Sequence, residues 1–304
     1  MRGVTDPFAR LSALTRRMIG GPMNALKWIT RWTYAPLILV GFNAAAMMIV
    51  ISDVPKWTLG WLLAAAIGVS FLIEGFIPYQ KDWNRPQGDR SRDLMHFLVN
   101  EASIAGSVML IPVAAVLMPF PRLWPDALPL WAQLILAILV ADAGITLAHW
   151  ASHRNNILWR FHAVHHSVRR MYGFNGLMKH PLHQAIELTA GTAPLVLAGM
   201  PLEVALLLAF AVAVQLLLQH SNADMRIGPL RYVLALAPVH RFHHLKSAEE
   251  GDVNFGLFTT LWDRLLGTAA FDPDKRFTSA DLGIGDMPDY PRTYLRQLIQ
   301  PFRQ

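Results

Sequence analysis

The chain has 304 residues, 53% of them hydrophobic and 16% charged, with a mean hydropathy of +0.31. So apolar and charge-poor a composition excludes an ordinary soluble domain and indicates an integral membrane protein. The net charge is +6, yet the basic residues flank apolar runs and form no basic face interleaved with aromatics, which excludes nucleic acid as a partner. Cysteine is absent, so disulfides, thiolate ligands and cysteine nucleophiles are excluded as well.

Residues 1–33 carry Arg2, Arg10, Arg16, Arg17, Lys27 and Arg31 with few acids. They lack the short apolar core and small-residue cleavage site of a signal peptide, and read as a cytoplasmic or interfacial lead-in. The first apolar run, Tyr34 to Ile51, has the length a bilayer core requires. After a turn at Ser52–Lys56, Trp57 to Pro78 runs back, with Trp57, Trp61 and Tyr79 suited to the interfaces. Lys81, Arg85, Arg90 and Arg92 then bring the chain to the N-terminal side. A third span is expected from Phe97 to Met118, a proline-rich outer turn from Pro119 to Asp126, and a fourth span from Pro129 to Trp150.

Four spans within residues 34–150 deliver His149 to the basic, cytoplasmic side. Residues 151–270 are expected to form the catalytic region. Within it, the apolar stretch 185–219 is broken by Gly199-Met-Pro201 into halves of about 15 residues, short for full spans. It reads as a helical hairpin that enters the membrane and returns. Residues 271–304 form a cytoplasmic tail in which Tyr290 to Phe302 looks like a short amphipathic helix. The expected fold is all-α: an integral membrane bundle of four transmembrane helices, a membrane-inserted hairpin and a cytoplasmic histidine-rich cap.

Eleven of the twelve histidines fall between His149 and His244. They form three clusters, His149-x3-His153, His162-x2-His165-His166 and His240-x2-His243-His244, with His180, His183 and His220 between them. Positions i, i+3 and i+4 share one face of a helix, so each cluster offers several imidazoles to one point. Isolated histidines are commonly packing residues, but gathering so many imidazoles without partners has no stabilising rationale. Ten nitrogens are too many for one tetrahedral zinc and suit two metal ions. A zinc hydrolase is disfavoured by the lack of a His-Glu-x-x-His pairing, and a metal transporter by the placement of the histidines at span ends.

In these motifs, together with Leu158-Trp-Arg-Phe-His162, the pair His180-Pro181 and the closing stretch Asn254-Phe-Gly to Asp263-Arg-Leu-Leu-Gly267, the chain resembles the fatty acid hydroxylase superfamily, also called the sterol desaturase family. The resemblance spans about residues 90–270 and implies a membrane-bound non-haem di-iron oxygenase. It would hydroxylate or desaturate a lipid, such as a sterol or fatty acyl chain, with dioxygen and an external electron donor. A ferredoxin or a cytochrome b5-like protein with its reductase would serve as that donor. The resemblance also implies the ligands His149, His153, His162, His165, His166, His180, His220, His240, His243 and His244 for two iron ions, which zinc can replace on isolation. A location in a bacterial inner membrane, with the site on the cytoplasmic side, follows from the short loops and the charge pattern.

Two departures from that family stand out. His183 occupies a position where a glutamate is frequent, as an additional ligand or as a partner of one, with Glu187 one turn on to orient it. Trp150 follows His149 where arginine is usual. Asp142 precedes His149 by two helical turns and is expected to accept a proton from a ligand histidine. Asp93, His96 and Asn100 share a helix face; His96 and Asn100 support the site or form an interhelical network. Asn254 and Asp263 are expected to fix the fold of the cap.

Overall fold

The computed structural model describes residues 22–111, 113 and 123–303. Residues 1–21 of the expected lead-in, the end of the expected third span and the first half of its outer turn lie outside the described residues. Among the described residues the fold is helical, with three isolated β-bridges and no strand.

Helix α1 (Pro22–Ile51) contains a π-helical stretch, Leu37–Phe42, immediately after Pro36. A proline removes one backbone donor from the ladder, and the wider turn re-registers the carbonyls beyond it. Lys56 closes the following turn by donating from Nζ to the carbonyls of Ile49 and Ser52, and α2 (Thr58–Phe76) runs back. Helix α3 (Arg90–Met109) comes next, followed by α4 (Leu130–Arg154) and α5 (Asn156–His166). Asn155 separates the last two and caps α5, its Oδ1 accepting from the backbone N–H groups of Ile157 and Leu158. Helices α6 (Pro181–Leu197) and α7 (Leu202–His220) complete the long elements.

Among the described residues four helices are long and apolar enough to cross a membrane: α1, α2, α4 and α7. Three of these match expected spans. The fourth is α7, the second half of the expected hairpin; the expected third span, Phe97 to Met118, begins within α3 and ends outside the described residues. The break at Gly199–Pro201 falls early enough to leave 19 residues for α7. Outward-facing Leu37, Val40, Trp61 and Leu72 are each more than 60% exposed, as expected of side chains that meet lipid rather than protein.

Helix α7 is the most buried of the four and packs against α1, α2 and α4. The closest crossing joins α4 and α6. A Cβ on Gly144 would sit 2.0 Å from the Ala190 carbonyl oxygen, and one on Gly191 would sit 3.0 Å from that of Ala141. Small residues at this crossing let the two backbones touch, which is how helices gain dispersion contact where lipid offers no hydrophobic drive.

Beyond α7 the chain forms a cap of loops and short helices: α8 (Ala237–His240), α9 (Ala248–Gly251), α10 (Leu261–Leu266) and α11 (Tyr294–Ile299). In helix α11 Gln297 is buried whereas Leu295 and Ile299 are exposed. Asn254 takes the left-handed region at φ 54°. Its side chain offsets that strain by donating to the carbonyls of Val239 and Ala270 and accepting from Ala270 N–H.

Candidate metal centre

The fold gathers nine of the ten histidines expected as ligands into two neighbouring groups. One holds His149, His153, His162, His166 and His243; the other holds His165, His220, His240 and His244. Each His-x2-His-His motif is divided between them. The i, i+4 pair His162 and His166 serves the first group while His165 turns to the second. The i, i+4 pair His240 and His244 serves the second while His243 crosses to the first. The two motifs therefore interlock.

The second ring nitrogens fix the orientation. His149 Nδ1 donates to the Phe255 carbonyl at 2.8 Å, His243 Nδ1 to Val253 at 2.9 Å and His165 Nδ1 to Met178 at 2.9 Å. His153 Nδ1 donates to Asp252 Oδ1 at 2.9 Å, and His220 Nδ1 to Asn175 Oδ1 at 3.1 Å. A neutral imidazole has one N–H, so each of these leaves Nε2 as a bare lone pair. The Nε2 atoms of His149 and His243 nonetheless stand 2.8 Å apart, with His162 Nε2 3.0 Å from His149. In the second group His244 Nε2 lies 3.1 Å from both His220 Nε2 and His240 Nε2.

No proton is available to lie between His149 and His243, and two lone pairs at that separation repel. A cation between them removes the conflict. Two imidazoles bound at right angles with metal–nitrogen bonds of about 2.1 Å have nitrogens about 3 Å apart. The residues fit two metal ions. Burial pushes His165 down to about 3 and holds His162, His166, His240, His243 and His244 well below the ordinary imidazole value. The rings are consequently neutral at physiological pH and ready to act as donors.

His180 is not brought to either group. It precedes Pro181 as the cap of α6, where its Nδ1 accepts from Leu182 N–H at 3.1 Å and its Nε2 donates to the Leu298 carbonyl at 3.2 Å. With both nitrogens engaged it has no lone pair to offer. Asp142 also departs from expectation, because it meets no histidine. Its carboxylate accepts from the backbone N–H groups of Leu257, Phe258 and Thr259 and from the Thr259 hydroxyl. It anchors the turn that begins two residues after Phe255, whose carbonyl orients His149. Asp263 holds the other side of that turn through Phe255 N–H, Gly256 N–H and the Thr268 hydroxyl.

His96 and Asn100 act at one remove. His96 Nδ1 and Asn100 Nδ2 donate to the Lys179 carbonyl, and Asn100 also reaches that of Leu177. They fix the segment whose Met178 carbonyl orients His165. His183 and Glu187 lie beside His162, with which they form a third close group.

Sequence reasoning passed over Asn175, Asp252, Lys179 and Glu74. Asn175 and Asp252 are ordinary turn residues by local pattern, and only the fold puts them against His220 and His153. Lys179 pairs with Glu187. Glu74 carried a signal: a lone carboxylate in the apolar run of α2. It accepts from Ser70 and from Gly173 N–H, bracing the loop that carries Asn175.

Two cavities flank the centre. An apolar one of about 100 Å³ runs between α3, α4, α6 and α7, bordered by Ile104, Ile145, Leu208 and Val212, and its inner wall carries Lys179 and Glu187. A polar one of about 580 Å³ opens on the cap side and reaches His153, His166, His243 and Trp159.

Residues 134–268 match the model of the fatty acid hydroxylase family. The ornithine lipid hydroxylase OlsE of Rhizobium tropici is 34% identical over 276 residues, 88% of this chain and 82% of that protein. The chain belongs to the fatty acid hydroxylase family. The alkylglycerol monooxygenase of Danio rerio is 31% identical over 152 residues, half of this chain. The very-long-chain aldehyde decarbonylase GL1-1 of Oryza sativa subsp. indica is 26% identical over 221 residues, 67% of it. The chain covers 33% of the length of each of these two. No solved structure matches. Family membership, the lipid hydroxylase and monooxygenase relatives and the apolar helices make this a membrane-bound oxidoreductase of lipids with a metal-binding histidine centre.

Proposed function

We propose that the chain hydroxylates a membrane lipid with dioxygen, using two iron ions held by His149, His153, His162, His166 and His243 on one side and by His165, His220, His240 and His244 on the other. The observation that carries this reading is the meeting of imidazole lone pairs at 2.8–3.1 Å in two adjacent groups. Bound iron supplies the activation of dioxygen that attack on an unactivated C–H bond requires. The protein's part is to bind, orient and shield.

Carbonyls and carboxylates on Nδ1 hold the rings in one tautomer. The apolar cavity between the helices takes a hydrocarbon chain from the bilayer side, and its packed walls exclude water. The polar cavity on the cap side gives protons and an electron donor access to the same rings. Insertion of one oxygen atom consumes two electrons and two protons as the other oxygen leaves in water. The donor is an external ferredoxin or cytochrome b5-like protein with its reductase, and basic loops around the cap suit an acidic partner. The positive-inside pattern and the bacterial relative support an inner-membrane location with the centre facing the cytoplasm. The same relative makes an amino-acid-bearing lipid of the ornithine lipid type the first substrate to test, ahead of sterols and fatty acyl chains; its name also favours hydroxylation over desaturation.

Metal analysis of protein purified without oxygen should give two irons per chain. Lipid mass spectrometry of cells with and without the gene should reveal a product that has gained one oxygen atom. Tight zinc with no oxygen consumption on any of these lipids would instead indicate a hydrolase and refute the reading.

A further inference from the structure

His183, Glu187 and Lys179 form a buried polar group that no step above uses. Ser152 Oγ lies 2.7 Å from the Ala148 carbonyl and 2.9 Å from His183 Nε2. The hydroxyl has one proton and gives it to the carbonyl, so His183 Nε2–H is the donor in the second contact and His183 Nδ1 is left a lone pair. That lone pair, Glu187 Oε1 and His162 Nδ1 are all buried without a hydrogen-bond partner. The three residues nevertheless sit together: the His162 and His183 rings are centred 4.4 Å apart, and His183 Nδ1 is 3.8 Å from Glu187 Oε1. His162 turns Nε2 to the first group, where it meets His149 and His166. A ring that binds metal through Nε2 carries its proton on Nδ1. One donor and two acceptors, none of them otherwise bonded, therefore lie in one close group.

We propose that His183 and Glu187 are the positioning pair of His162, sharing its Nδ1 proton while Lys179 pins the carboxylate from the other side. The inference rests on the reading of the first histidine group as a metal site. Each other oriented ligand uses one backbone carbonyl or one side chain; His162 uses two side chains from a single helical turn of α6. A third metal ion is the competing occupant, since these residues could ligate one. Lys179 decides against it, because its ammonium already neutralises Glu187 and would repel a second cation there. The pair also has a second face. Lys179 and Glu187 form part of the apolar cavity's wall, so the bound lipid chain and the orientation of His162 are separated by one ion pair.

The test uses the full-length enzyme in micelles and the variants H183A, H183Q and E187Q, each loaded with iron-57. Loss of an outer partner of a ligand histidine typically weakens metal binding 10–100-fold. H183A and E187Q should bind one of the two irons 10–100-fold more weakly, with the Mössbauer signal of that iron alone altered. H183Q, whose amide oxygen can still accept from His162, should recover most of the affinity. Parent-like affinity and spectra in both H183A and E187Q would overturn the proposal. So would loss of both irons together with helical circular dichroism, which assigns the pair a structural role only. A third equivalent of metal in the parent, absent from E187Q, would overturn it in favour of a third site. If the parent itself binds no pair of irons, the proposed function fails rather than this inference.

Discussion

Asp142 provides the sharpest test of how the cap fixes the centre. Its side chain is fully buried and accepts four hydrogen bonds, two on each oxygen, from the turn at Leu257–Thr259. In D142N one oxygen survives and keeps Leu257 and Phe258. The new amide group faces Thr259, whose hydroxyl can rotate to accept, but the Thr259 N–H is stranded. A stranded buried N–H costs about 1–3 kcal/mol, and each remaining bond loses about 1 kcal/mol as it ceases to be charge-assisted. The sum is about 3–5 kcal/mol, at the upper end for a single substitution. At ~2–4 °C per kcal/mol for a chain of this class, the thermal midpoint in micelles should fall by on the order of 10 °C. Because Phe255 leads into this turn and its carbonyl orients His149, iron should also be lost faster from D142N when chelator is added. A midpoint and an iron release rate equal to the parent's would refute the claim that Asp142 anchors the turn.

Three further outcomes are expected. H180A should retain both irons, since both ring nitrogens of His180 are engaged at the start of α6, and should lose about 1 kcal/mol of stability as a cap is removed; metal analysis beside a melt checks both. The metal-free protein should lose stability as pH falls below about 6.5, the ordinary imidazole value, down toward 3, where His165 finally titrates. The sign follows because the unfolded chain binds protons in that window and the folded cap does not; a flat profile of unfolding midpoint against pH would contradict it. G144A should destabilise the α4–α6 crossing by ~1–3 kcal/mol, as its methyl would meet the Ala190 carbonyl, and a melt no lower than the parent's would show that the helices can part freely.

The helical class and the metal chemistry were legible in the sequence because hydropathy and i, i+3, i+4 spacing are local properties. What each histidine does was less so. Spacing assigns His162, His165 and His166 to one face, but which of two adjacent points each ring serves depends on where α5 meets the cap. His180 looked like a ligand by family resemblance, whereas the proline after it makes it a helix cap. Asp142 sat at the right period to face His149, yet the turn at Leu257–Thr259, more than a hundred residues later, claims its carboxylate. The identity of the fourth apolar helix turned on where a Gly-Met-Pro break falls within one apolar stretch.

The interlocked motifs also constrain how the protein is made. His149, His153, His162 and His166 are synthesised well before His243 joins their group, and the carbonyls of Val253 and Phe255 that orient His243 and His149 come later still. Two of those four early rings belong to a membrane-crossing helix, so they enter the bilayer boundary while their partners are still on the ribosome. The first group is complete only at His243 and the second only at His244. Metal insertion into a complete group is therefore expected late in biogenesis. A chain stopped before His240 would hold only part of each group, with lone pairs exposed to whatever cation the cell supplies.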